Sequence, residues 1–273
     1  MSWIRDAGSR RLFLEGLRSA RDGVLLMIIA DIVSILAISL ALWLLIAWLL
    51  PLPRAIPGLQ WGVAPPGAAG VSWRPLEELL ARAPYIATLG IIVLVLLLAA
   101  GALAIVGLWA LFVPGARKLG RASAELSTAS TLIWIGYFWG VLVLIVALFA
   151  GFGCVVCFAL LQNFPAIISA LVGTGAGALV GAVLAFIGFV GSILLVFKLY
   201  ELERDSLYLV AVILMITSLV LSFAGLMPYV GSLISIASLV AGFVSLILLY
   251  VALGRSIDRA ASLTPVAQQA SLG

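Results

Sequence analysis

From Leu126 to Phe197 the chain runs for 72 residues without a single Asp, Glu, Lys or Arg. A water-soluble fold of ordinary size cannot hide so long an uncharged stretch, whereas a bilayer requires one, at about 20 apolar residues per crossing. The rest of the chain agrees, with 65% hydrophobic and only 10% charged residues in 273. Backbone polar groups inside lipid find no water, and a helix satisfies them within itself. The expected fold is therefore all-α: a polytopic integral membrane protein, a six-transmembrane-helix bundle with an N-terminal amphipathic helix.

Residues 1–23 read as a basic amphipathic helix lying on the cytoplasmic membrane surface. Phe13, Leu17, Ala20 and Val24 recur at helical spacing, with Arg10, Arg11, Arg18 and Arg21 on the other faces. Those four arginines are expected to touch anionic headgroups, at about 1 kcal/mol each. Residues 24–254 form the transmembrane domain. Its spans are placed near Val24–Leu50, Tyr85–Phe112, Thr131–Leu161, Ile168–Tyr200, Leu207–Ala224 and Tyr229–Leu253. Pro114-Gly115 is expected to stop the second span. The third is about 46 Å of helix at 1.5 Å per residue, so it must tilt, protrude or kink near Gly151 and Gly153. An outer loop, 51–84, carries Trp61 and Trp73 and a short helix over Pro75–Arg82. Residues 255–273 form a short polar cytoplasmic tail.

Six spans put both termini on one side, and the positive residues decide which. Twelve of the 15 Lys and Arg lie on the terminal side and three on the other. By the positive-inside rule both termini are expected to be cytoplasmic, and the membrane expected is the plasma membrane. The net charge of +4 is then an orientation signal, and no nucleic-acid partner is expected.

The chain contains no histidine and two cysteines. That removes imidazole acid–base chemistry, histidine-ligated haem, the usual zinc sites and thiolate clusters. No catalytic residue, metal or cofactor is expected. Asp31 is the one charged residue deep in a span, with Ser34 a turn away. A carboxylate at mid-membrane is costly and marks either a proton or cation site or a group that fixes bundle geometry. Gly173, Gly177, Gly181 and Ala185 recur every fourth residue, continued by Gly188 and Ser192. Such a face lets another backbone approach closely, within one chain or between chains. Cys154 and Cys157 form C-x-x-C without the second pair a thiol relay needs, and read as small packing residues. Ser9–Leu14 matches the core of a twin-arginine export signal. Charged residues, not an apolar region, come next, so the export reading fails. The turn with Glu201, Glu203, Arg204 and Asp205 reads as solvated.

Phe13-Leu14-Glu15-Gly16-Leu17, followed by Arg21-Asp22-Gly23-Val24-Leu25-Leu26, resembles the start of a family of uncharacterised archaeal multi-span membrane proteins. The glycine-rich fourth to sixth spans are similar to the same group. The resemblance implies a six-helix fold and an archaeal source, and brings no activity and no site residues. The expected function is non-enzymatic: a membrane scaffold or accessory subunit. Its partners are the lipid bilayer and either a second copy or another subunit of a membrane complex. The alternative is a small transporter or channel using Asp31. A membrane enzyme acting on lipid or quinone ranks third.

Overall fold

The computed structural model describes residues 7–49, 74–161, 164–225 and 231–262, and among them every regular element is helical. In chain order these are α1 (Ala7–Leu49), α2 (Arg74–Val106), α3 (Val113–Ala122), α4 (Ala124–Ile133), α5 (Gly140–Leu160), α6 (Phe164–Glu203), α7 (Ser206–Ala224) and α8 (Gly231–Ser262). Two widened, π-helical turns join neighbours without a break: Gly107–Phe112 links α2 to α3, and Trp134–Trp139 links α4 to α5. Six helical rods result, each long and apolar enough to cross a membrane. The chain is an all-α, multi-pass membrane protein.

Several boundaries differ from the sequence expectation. Gly23 does not end a surface helix, because α1 is continuous from Ala7 to Leu49. Pro114 does not end the second span. It sits at the first turn of α3, directly after the widened turn, inside a helical rod that continues through it. Arg117, Lys118 and Arg121 therefore lie on a helix, and the break before the third span is Ser123, extended at φ −142° and ψ 130°. The third span passes through Gly151 and Gly153 as regular helix and is irregular at Trp134–Trp139 instead. The fourth span begins at Phe164. Helix α2 begins at Arg74, which shortens the outer loop, and Trp61 and Trp73 lie outside the described residues. At the other end α8 continues to Ser262, so the first part of the expected tail is helix.

Two compact units divide the chain: Met1–Ile28 with Ile105–Gly273, and Ile29–Ala104. In the second unit the buried positions among the described residues are Ala30 and Ala37 on α1 and Val93 and Ala100 on α2. Each pair is separated by two helical turns.

The first unit gathers its core at the end bearing the Ser123 and Asp205 turns. Phe13, Leu17, Ala20 and Val24 are all buried there, with Phe112, Ala116, Leu119, Leu126, Ile133, Leu195, Leu199, Tyr208, Ala252 and Leu253. The apolar face expected to rest on lipid thus packs on protein. Glycine makes the approach close. A methyl on Gly23 would lie 2.7 Å from both the Gly107 carbonyl oxygen and the Phe112 nitrogen. One on Gly115 would lie 2.7 Å from the Ala20 nitrogen, and one on Gly16 would lie 3.0 Å from the Gly115 carbonyl.

A second seam joins the third and fourth spans. A methyl on Gly136 would collide with the Gly188 backbone, one on Gly140 would lie 2.6 Å from the Ala185 nitrogen, and one on Gly177 2.8 Å from Ala147 Cβ. The fifth and sixth spans are joined by serines. Ser218 donates to the Ser238 carbonyl at 2.9 Å, Ser238 donates back to the Ser218 carbonyl at 2.7 Å, and Ser222 Oγ lies 2.7 Å from Ser238 Oγ. Interhelical bonds of this kind contribute about 0.6–2 kcal/mol in a membrane.

The first seam predicts opposite outcomes for one substitution at two glycines. Gly23→Val should destabilise the purified protein by about 1–3 kcal/mol, because the branched side chain must force the crossing apart. Gly173→Val, where no described atom stands within 4 Å of the added carbon, should change stability by no more than about 0.5 kcal/mol. Thermal unfolding in one detergent compares the two, and equal midpoints would contradict the crossing.

Candidate functional site

The densest group of polar side chains lies where α6 turns into α7 against the end of α8. Two features build it. Arg204 takes a left-handed backbone, φ 53°, which a side chain adopts at a cost of about 1–2 kcal/mol. Its N–H closes the end of α6 on the Tyr200 carbonyl at 2.7 Å. The reversal carries the two flanking acids, Glu203 and Asp205, inward, each with a side chain only 4% exposed. Of the turn expected to be solvated, Glu201 and Arg204 are exposed, whereas Glu203 and Asp205 are buried.

Asp205 caps α7. One carboxylate oxygen accepts the Leu207 N–H at 3.1 Å, and the other accepts Arg259 Nη2 at 2.6 Å. The capping bond satisfies a helix-end donor that has no partner in its own helix. Glu203 accepts the Ser256 hydroxyl on Oε2, with Arg259 Nη1 3.9 Å away. Ser256 has one hydroxyl proton, so with that proton on Glu203 the fully buried Tyr208 hydroxyl, 2.7 Å from Ser256 Oγ, is the donor to it. The result is a directed chain, Tyr208 to Ser256 to Glu203, that ties α7 to α8 and α8 to α6. Glu203 Oε1 is buried with no hydrogen-bond partner among the described residues. Two carboxylates share one guanidinium.

A second polar contact reaches α8 from α1. Arg21 donates to the Tyr250 hydroxyl at 2.9 Å, with its guanidinium carbon 4.6 Å from the Tyr250 ring centre. Gly254 lies beside it, where a methyl would make an ordinary contact at 3.7 Å from Arg21 Cζ. Arg21 was expected to face lipid headgroups and packs on protein, because Phe13, Leu17, Ala20 and Val24 turn this face of α1 toward the core. Arg10, Arg11 and Arg18 are exposed. Glu15 is held by Arg11 at 3.0 Å and by Lys118 at 3.3 Å.

The other sequence-derived positions are dispersed. Asp31 and Ser34 share a face of α1 in the second unit, both half-buried, and no described residue gives Asp31 a hydrogen bond or ion pair. Gly177, Gly181, Ala185 and Gly188 meet the third span. Ser192 donates to the Gly188 carbonyl at 3.2 Å and lies 3.3 Å from the Tyr137 hydroxyl. Gly173 faces open space among the described residues. Cys154 and Cys157 are free and exposed. Among the described residues no three of His, Cys, Asp and Glu form a group that could hold a metal ion.

The widened turns form a further cluster that the sequence reading missed. Side chains donate to a carbonyl of each turn. Ser19 donates to the Leu111 carbonyl at 2.7 Å, and the Trp109 indole donates to the Tyr137 carbonyl at 3.2 Å. Trp134 stacks on Phe138 with centroids 5.8 Å apart, Phe138 meets Trp139 edge-on at 5.6 Å, and the Arg117 guanidinium lies 4.7 Å above the Trp134 ring. The run Trp134-Ile135-Gly136-Tyr137-Phe138-Trp139 was the available signal.

In chemical terms the buried group between α6, α7 and α8 is a fastening. Ser256→Ala should destabilise the protein by about 1–3 kcal/mol, by leaving buried Glu203 and Tyr208 without their shared partner. Lys198→Met removes an ion pair to Glu201 whose two side chains are each about two-fifths exposed, and should change stability by no more than about 1 kcal/mol. Thermal unfolding of the two variants side by side tests this ordering. Comparison with protein-family models, curated proteins and solved structures finds no match to this chain.

Proposed function

We propose that this protein is a non-enzymatic membrane scaffold or accessory subunit, with both termini cytoplasmic in the plasma membrane. The observation that carries the reading is a small-residue face on the far half of the third span. Ala150, Gly153, Cys154 and Cys157 fall at positions i, i+3, i+4 and i+7 of α5, on one side of the helix, and all four are exposed. No described atom lies within 4 Å of a methyl built on Gly153. Elsewhere small residues on these helices admit a neighbouring backbone, as at Gly136, Gly140 and Gly181. Here the same pattern is turned outward, which suits a helix from another subunit or a second copy.

The polar groups between α6, α7 and α8 agree with this reading, since buried Tyr208, Ser256, Glu203 and Asp205 and half-exposed Arg259 are engaged with one another. Transport through Asp31 draws no comparable support, because no described residue joins it by a hydrogen bond or ion pair. Membership of the archaeal multi-span family belongs to the same proposal and adds no activity.

Both cysteines of the chain lie on the proposed contact face, which supplies the test. Mild oxidation in native membranes should give a disulfide-linked species, lost in the Cys154→Ser/Cys157→Ser double variant. Gentle extraction followed by mass spectrometry should identify a stoichiometric protein partner or a second copy. Gly153→Leu should reduce its retention at least tenfold without lowering the thermal midpoint of the isolated chain. A protein that extracts alone, with no linked species, would overturn the accessory-subunit reading. Flux that is present in proteoliposomes and lost in Asp31→Asn would replace it with the transporter.

A further inference from the structure

The geometry points to a binding site for the phosphate of an anionic phospholipid at the hairpin between the second and third spans, held by Arg117, which lies over the Trp134 ring, and by Arg121. Arg117 and Arg121 are both exposed and lie four residues apart on α3, hence on one face. Neither forms an ion pair among the described residues, whereas Lys118 between them is taken by Glu15 at 3.3 Å. The nearest acid in sequence, Glu125, acts electrostatically on Lys198 across α6.

The aromatic contact gives Arg117 its role. With its guanidinium carbon 4.7 Å from the Trp134 centroid, one face of the group is covered by the ring while its N–H edges stay free. Those edges make the paired, in-plane hydrogen bonds that phosphate oxygens accept. Trp134 is itself fixed, stacked on Phe138 at 5.8 Å. The guanidinium is therefore held before a ligand arrives, and less freedom is lost on binding.

The surroundings select a lipid over a free anion. Below the charge, along the third span, Ile135 is 38% and Trp139 44% exposed, an apolar path for an acyl chain. Tryptophan beside arginine is the arrangement found at headgroup level, where the indole spans apolar and wet regions. The site is distinct from Arg10, Arg11 and Arg18 on α1, and it does not depend on the partner-helix reading.

The test uses the full chain in nanodiscs, with phosphatidylglycerol as probe, phosphatidylcholine as neutral reference and inorganic phosphate as competitor. Native mass spectrometry should find phosphatidylglycerol retained over phosphatidylcholine. Arg117→Gln should weaken retention about fivefold, taking about 1 kcal/mol per surface arginine, and the Arg117→Gln/Arg121→Gln double variant about thirtyfold. Trp134→Leu keeps both charges and should still weaken retention about two- to fivefold, from the lost cation–π contact. Thermal midpoints in pure phosphatidylcholine confirm that each variant is folded. Equal retention of the two lipids, a double variant that binds as the parent does, or displacement of the lipid by inorganic phosphate would each overturn the proposal.

Discussion

Helices already immersed in an apolar medium gain little by hiding from water, so their association rests on close contact and on polar bonds between them. Closeness is the constraint on which the rest of this structure depends. Where Gly23 meets Gly107 and Gly136 meets Gly188, a single added carbon would strike the opposing backbone. Dispersion between individual atoms is weak, and only a dense interface accumulates enough of it. The glycines permit that density, and the long side chains around them, Leu119, Leu144 and Phe112, fill the remaining space.

Polar fastenings sit where that packing needs direction. Apolar contact is indifferent to small rotations, whereas a carboxylate that accepts from Ser256 on one helix while its own helix turns at Arg204 is not. The Tyr208–Ser256–Glu203 chain and the Asp205–Arg259 pair fix α6, α7 and α8 at one end. Further from that end, the serines at Ser218, Ser222 and Ser238 hold α7 to α8. Ion pairing at Arg259 has mixed surroundings, since its side chain is half exposed while both acids are buried. Its contribution is chiefly to offset buried negative charge.

Six spans were legible because charge is absent over lengths that only a bilayer tolerates. The fine structure was less so, for identifiable reasons. Gly23 and Pro114 are ordinary helix breakers, yet Gly23 is needed for a crossing and Pro114 follows a widened turn, so neither ends its helix. A search for small residues every fourth position found the face at Gly177–Gly188. It passed over a seven-residue spacing at Gly16, Gly23, Ala30 and Ala37 on α1, and another at Val93, Ala100 and Gly107, all of them buried. The burial of Glu203 and Asp205 could not be read, because it turns on a left-handed residue at which the sequence shows arginine where glycine would have been the signal. The stacking of Arg117 on Trp134 depends on the path of two irregular turns, which no fixed periodicity contains.

Those turns carry a consequence for helix phase. An α-helix advances about 100° per residue, and a π-type turn accommodates one residue more than regular winding does. Everything beyond Trp139 is therefore rotated by roughly that angle relative to an uninterrupted rod. Wound regularly with all its residues kept, this span would turn Gly151 away from Thr174 and present another side outward, whereas removing one residue within Trp134–Trp139 would restore regular winding and leave the distal half in its present phase. A widened turn is thus a means by which a span takes in one extra residue while its distal half keeps the side its neighbours meet.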